Sequence, residues 1–167
     1  MPQKYRRYSL KPKEAKLDLN KVSEKLRVNL ETLIDTKSNF EAAETDFGRI
    51  LLINGKPLLF KVGDNVLPTL FFTDVLVLLP KIVVDMGAVP HVCNGADIMA
   101  PGIVRTEGEF REGDLVTIID EKHGKPLALG QALFSSENLS HIEKGSVIKN
   151  AHFVSDKYWN SAKALIG

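Results

Sequence analysis

At 167 residues, with 44% apolar and 26% charged side chains, the chain has the composition of a globular protein, which excludes a wholly disordered polypeptide. Its single cysteine, Cys93, rules out an internal disulfide, and the four histidines form no zinc spacing with it, so neither a metal nor a cofactor is expected. The net charge of +1 hides an asymmetry: the first 30 residues carry nine basic and three acidic side chains, whereas residues 81–167 carry nine against eleven.

The opening run MPQKYRRYSLKPKEAK has no apolar stretch of the secretory kind. The longest apolar-rich run, Leu67 to Leu79, is interrupted by Pro68, Thr69, Thr73 and Asp74 and is too short to span a bilayer. A soluble cytoplasmic protein with no membrane partner is expected. Near Tyr5 and Tyr8 stand Lys4, Arg6, Arg7, Lys11, Lys13 and Lys16. Such a cluster suits a solvated arm and helix face, or contacts to phosphates with an aromatic stacked on a base.

From Lys13 to Leu30, the residues Leu17, Leu19, Val22, Leu26 and Leu30 mostly recur at three-to-four spacing, which predicts an amphipathic helix. Thr32 to Thr36, Phe40 to Ala43, Phe47 to Ile53 and Leu58 to Val62 are short β-compatible runs. Asn54-Gly55 is a type I′ hairpin signal, because both residues tolerate positive φ. Leu67 to Leu79 reads as a buried helix or a strand, with helix preferred, and Pro80 closes this first unit.

The second unit opens with Ile82, Val83 and Val84 and reaches Asp85. Gly87 to Asn94 reads as a short helix, with Pro90 tolerable in its first turn and Gly95 as its terminator. Leu115 to Ile119 is a strand, and the polar run Asp120 to Lys125 returns it to Leu127 to Phe134, where Ala128, Gly130 and Ala132 leave one face small enough for a close neighbour. Ser136 is placed to cap one helical turn through Leu139, and Val147 to Val154 forms a last strand. Several short strands with glycine punctuation imply a small barrel or sandwich with brief helices. Asp156 to Ile166 then reads as a terminal helix laying Trp159, Ala162 and Leu165 or Ile166 on the body.

The first chemistry to test is a cysteine nucleophile, since His91 lies near Cys93. Two residues apart on a helix they face different sides, and Cys93 falls on the apolar stripe, where a thiol is inert packing. Asp85 and Asp114 sit at element boundaries and read as caps or turn formers. Walker, GxGxxG, HExxH and GxSxG patterns are absent from the sequence, so no enzyme activity is expected. The segment NGADIMAPGI, Asn94 to Ile103, combines two glycines, a proline and small residues around Met99. It suits a close approach to a partner, or equally a tight structural crossover.

The succession VVDMGAV, NGADIMAPGI, GDLVTIIDE, PLALGQA and KGSVIKNAHFVSD, from about Ile82 to Asp156, resembles a PUA domain. Upstream PTLFFTDVLVLLP and downstream KYW extend the likeness to archaeal and eukaryotic translation-associated proteins related to the malignant T-cell-amplified sequence and ligatin. The resemblance implies an α+β fold. A small α/β pre-PUA domain over residues 1–80 would precede a six-stranded PUA pseudo-barrel with short helices and the terminal helix, over residues 81–167.

It also implies binding without catalysis. The partner would be structured RNA, tRNA or rRNA, in the context of the small ribosomal subunit during initiation or recycling. Candidate RNA contacts are Gly95, Ala96, Asp97, Met99, Ala100, Pro101 and Gly102, with Arg105, Lys144, Gly145 and Lys149 beside them. Lys4, Arg6, Arg7 and Lys11 would add phosphate contacts. The net negative charge of the second half departs from uniform attraction to phosphate and requires local clustering of cations. The competing reading is an adaptor whose pre-PUA domain docks a partner translation factor through a sheet edge or the apolar region Leu67 to Phe72.

Overall fold

Of the basic amino-terminal segment, read as a solvated arm and helix face or as phosphate contacts, the part expected as an arm is a strand, while Lys13 and Lys16 stand exposed on a helix. In the computed structural model, which describes residues 5–35 and 37–166, Arg6–Leu10 forms β1 and pairs antiparallel with β2, Phe40–Glu44. The chain divides into two units. One joins the stretch through Asp74 to the stretch from Lys157, and the other is Val75–Asp156.

In the first unit, β3 (Arg49–Ile53), β4 (Lys56–Val62) and β5 (Asn65–Pro68) complete a five-stranded antiparallel sheet in the order β1-β2-β3-β4-β5. Asn54 and Gly55 take φ of +53° and +80°, as the type I′ signal requires. Helix α1 spans Pro12–Leu26 and buries Ala15, Asp18, Leu19, Val22 and Leu26. Leu17, expected on that stripe, is 66% exposed, because the stripe runs through Asp18 instead. The Asp18 carboxylate is sustained in the interior by Arg49 at 2.9 Å and Lys61 at 3.6 Å, both from strands.

Two expectations fail here for local reasons. Residues of the expected run Thr32 to Thr36 do not extend as a strand. The Asn29 side chain accepts from Glu31 N and the Thr32 hydroxyl donates to Asn29 O, closing a 3₁₀ turn at Leu30–Thr32; Thr36 lies outside the described residues. The preferred helix over Leu67 to Leu79 shrinks to one turn, α2, Thr73–Leu76. Pro68 ends an edge strand, and the Thr69 hydroxyl donates to Pro57 O at 2.7 Å while accepting from Phe71 N, which fixes a turn. Leu70 and Phe72 are buried and Leu67 and Phe71 partly so, which takes up in packing much of the apolar region Leu67 to Phe72, one of the two faces weighed for docking.

The terminal helix α5, Lys157–Ile166, packs on β4 of the first unit instead of accompanying the second domain. Its Tyr158 stacks on Phe60 with centroids 4.4 Å apart and meets Phe47 edge-on, and Ala162 is buried with Ile50 and Phe60. Trp159 stacks on Phe71. Of the two alternatives at the helix end, Leu165 is the one that packs, and Ile166 is exposed.

The second unit contains β6 (Lys81–Val84), α3 (Val89–Val92), β7 (Ile98–Met99), β8 (Ile103–Glu107), β9 (Leu115–Asp120), β10 (Pro126–Ala132), α4 (Ser136–Leu139) and β11 (Ser146–Phe153). The sheet order is β7-β11-β10-β9-β6-β8, with β6 and β9 parallel and the other pairs antiparallel. Its two edge strands, β7 and β8, are joined by the 3₁₀ turn Ala100–Gly102, so the sheet curls into a half-barrel. Ile82, Val84, Ile98, Val116, Ile118 and Ile148 fill its interior.

The close neighbour expected at the small face is present. A Cβ at Gly130 would collide with Ile148 Cγ2. The α4 cap is Ser135, whose hydroxyl accepts from Asn138 N, and not Ser136, whose hydroxyl is taken by the Phe110 backbone. Among the described residues no helix is long and apolar enough to cross a membrane.

Candidate nucleic-acid interface

Asp85 follows β6 and stops it. Its Oδ1 accepts from Ala88 N at 2.8 Å and opens α3, in which Pro90 occupies the first turn where its missing N–H costs nothing. Gly95, at φ +91°, ends the helix. It is needed for a second reason, because a Cβ there would stand 3.0 Å from the Phe153 ring.

Asn150 on β11 then fixes the chain as it leaves α3. Its Nδ2 donates to Val92 O and Ala96 O, and its N–H donates to Asp97 Oδ1, each at 3.0 Å. Strand β7 pairs with β11, Met99 opposite Ser146, and Ala100 N donates to Gly145 O. The turn at Pro101 brings Gly102 back to β6, where its carbonyl accepts from Asp85 N. A Cβ on Gly102 would lie 3.2 Å from that of Ala88.

These contacts enclose an open cleft of about 620 Å³. Ala96, Asp97, Met99, Pro101 and Gly102 line it, together with Asp85, Ala88, His91 and Ser146, which sequence reasoning did not select. Met99 is 48% exposed at its edge. Gly95 and Ala100 shape the loop without lining the cleft. Lys144 and Gly145 precede the Ser146 wall, and Lys149 lies beside Asn150; both lysines are exposed. Arg105 is displaced to β8, where Glu107 stands 3.6 Å away, and does not line the cleft. The lining carboxylates, Asp85 and Asp97, make the cleft itself unsuited to a phosphate.

The auxiliary cations belong to the first unit. Arg7 is already engaged: its guanidinium grips Glu41 through two hydrogen bonds of 2.7 and 3.0 Å, which hold the Glu41 carboxyl below its ordinary range. Arg6 lies over the Tyr8 ring, and Lys11 is exposed at the start of α1. Lys4 lies outside the described residues. Burial pushes the Cys93 thiol up, the reverse of what activation as a nucleophile requires. Among the described residues no three His, Cys, Asp or Glu side chains are grouped to hold a metal ion.

Residues 80–154 match the family model of the PUA domain, and residues 6–74 match that of a domain of unknown function, DUF1947. The uncharacterized protein MJ1432 of Methanocaldococcus jannaschii is 41% identical over 152 residues, covering 87% of this chain and 93% of that one. Translation machinery-associated protein 20 of Saccharomyces cerevisiae is 28% identical over 153 residues, covering 87% and 84%. The crystal structure of a PUA-domain protein from Aeropyrum pernix, a tartrate complex, is 25% identical with a TM-score of 0.84, covering 98% of this chain and 94% of that one. The α+β architecture with a curled six-stranded second sheet is the one these similarities imply.

Proposed function

From the premise that this chain belongs to the family of PUA-domain proteins carrying a DUF1947 domain ahead of the PUA domain, we propose that it binds structured RNA in translation. The RNA would be tRNA or that of the small ribosomal subunit, engaged during initiation or recycling, with no chemical step catalysed. The observation that carries this reading is the cleft at Ala96–Gly102, edged by the half-exposed Met99, with the exposed Lys144 just before β11 and Lys149 on it. Its carboxylates turn phosphates away from the cleft itself and toward those rim lysines. Shape and apolar contact then come from the glycine- and proline-bearing loop, and electrostatic attraction from the rim.

Filter binding of unfractionated tRNA and sedimentation with small ribosomal subunits test it. If about four phosphates are neutralised, log affinity falls against log salt with a slope of roughly −3 to −4. Met99→Glu with Pro101→Glu weakens binding while circular dichroism stays native. Absence of binding to either partner, or an affinity indifferent to salt, rejects the reading.

A further inference from the structure

The second unit holds only seven lysines and arginines, against eleven aspartates and glutamates, so where its cations stand matters more than their sum. Lys81 donates to the carbonyls of Val77 and Leu79, and Arg105 pairs with Glu107. Besides Lys144 and Lys149, one further pair falls close together, Lys122 and Lys125, in the turn joining β9 to β10.

That turn is held by its own backbone. Asp120, 3% exposed, accepts from His123 N through Oδ2 and from Lys125 N through Oδ1, both at 2.8 Å, while Gly124 takes φ +64°. Its carboxylate is thus spent on amides, and Lys122, His123 and Lys125 are all left exposed. Neither lysine has a carboxylate partner among the described residues.

The turn also has a fixed position relative to the cleft. Because β6 and β9 run parallel, with Val84 opposite Asp120, the β9–β10 turn emerges at the same end of the sheet as Asp85. Glu121 fastens it there, its N–H donating to Val84 O and its Oε1 accepting from Met86 N. The wall of the cleft that begins with Asp85 is therefore continuous with the turn, as the Met99–Ser146 wall is with Lys144.

We propose that the turn carrying Lys122, His123 and Lys125 is a second phosphate-contacting surface, which grips the backbone of the RNA whose neighbouring portion occupies the cleft. The assignment rests on the RNA-binding reading above. It gives the acidic cleft cations beyond both of its walls, and it places the second set on a hydrogen-bonded turn whose geometry is set before RNA arrives.

The test is the salt dependence of tRNA affinity for the full chain, wild type against Lys122→Ala/Lys125→Ala. Loss of two phosphate contacts weakens binding and makes the slope of log affinity against log salt shallower by roughly 1.4 to 1.8. Lys122→Arg/Lys125→Arg keeps the wild-type slope. Met99→Ala, an uncharged change at the cleft, lowers affinity with the slope retained. Wild-type binding with a double-alanine variant of unchanged affinity and slope, native by circular dichroism, overturns the second surface and leaves the RNA-binding reading standing. No wild-type binding removes both.

Discussion

Between Ile118 and Ile148 there is room for a hydrogen at residue 130 and for little else. An added methyl would collide with Ile148 Cγ2 and meet Ile118 Cδ1 and Lys149 O at 3.3 Å. Cγ2 is fixed to a β-branched carbon on a buried strand, so the backbone rather than a side-chain tip must yield. Gly130→Ala is accordingly expected to destabilise the protein by about 1–3 kcal/mol, the usual cost of overpacking, read as a lower urea midpoint with an unchanged slope. The sequence exposed this position, because Ala128, Gly130 and Ala132 alternate. It did not expose Asp18, since an isolated carboxylate on a helix reads as solvent-facing until Arg49 and Lys61 arrive from strands more than thirty residues away. Asp85, His91 and Asn150 escaped for the same reason: β6, α3 and β11 must come together before any of them borders or braces the cleft.

Elements whose chemistry is local were legible. The Asn54-Gly55 hairpin follows from two residues that accept positive φ, and the loop Gly95–Gly102 follows from glycine and proline placement. Those decided by a distant partner were not. Strand β1 is charged and partly exposed, and only its pairing with β2 makes it a strand; α2 is cut short by a hydroxyl reaching back to Pro57. The β9–β10 turn offers a pH-dependent check on an element. Burial would raise the Asp120 carboxyl, but the N–H groups of Lys125 and His123 outweigh it and hold it below the usual carboxylate range. A folded-state value below the unfolded one, about 3.9 for an aspartate, stabilises the protein above that unfolded value. The contribution is lost as pH falls through the depressed folded value. Asp120→Asn should therefore lower the urea midpoint at neutral pH, and the gap from wild type should narrow progressively as the medium is acidified below about pH 4. A gap constant with pH would show that the amide contacts do not favour the ionised form.

At the scale of the molecule, the first unit is discontinuous in sequence. Its sheet is complete by Pro68, yet three of the side chains packed with Phe60 and Ile50, Tyr158, Ala162 and Leu165, come from α5, after the whole of the second unit. A chain ended after Asp156 loses the Tyr158 stack on Phe60 and the buried Ala162. The expected result is increased amide exchange in β3 and β4, with protection retained in β9 and β10, measured by exchange mass spectrometry. Equal loss of protection in both sheets would contradict the division. No local signal could have assigned α5 to its sheet, because its apolar stripe fits any apolar surface, and its neighbours in sequence belong to the other unit.

That interruption also orders events during synthesis. A nascent polypeptide leaving its exit tunnel has the entire half-barrel in hand before the final helix appears, so the body finished first is the one encoded second. The earlier body waits with Phe60 and Ile50 lacking the cover of α5 until the whole second unit has been synthesised.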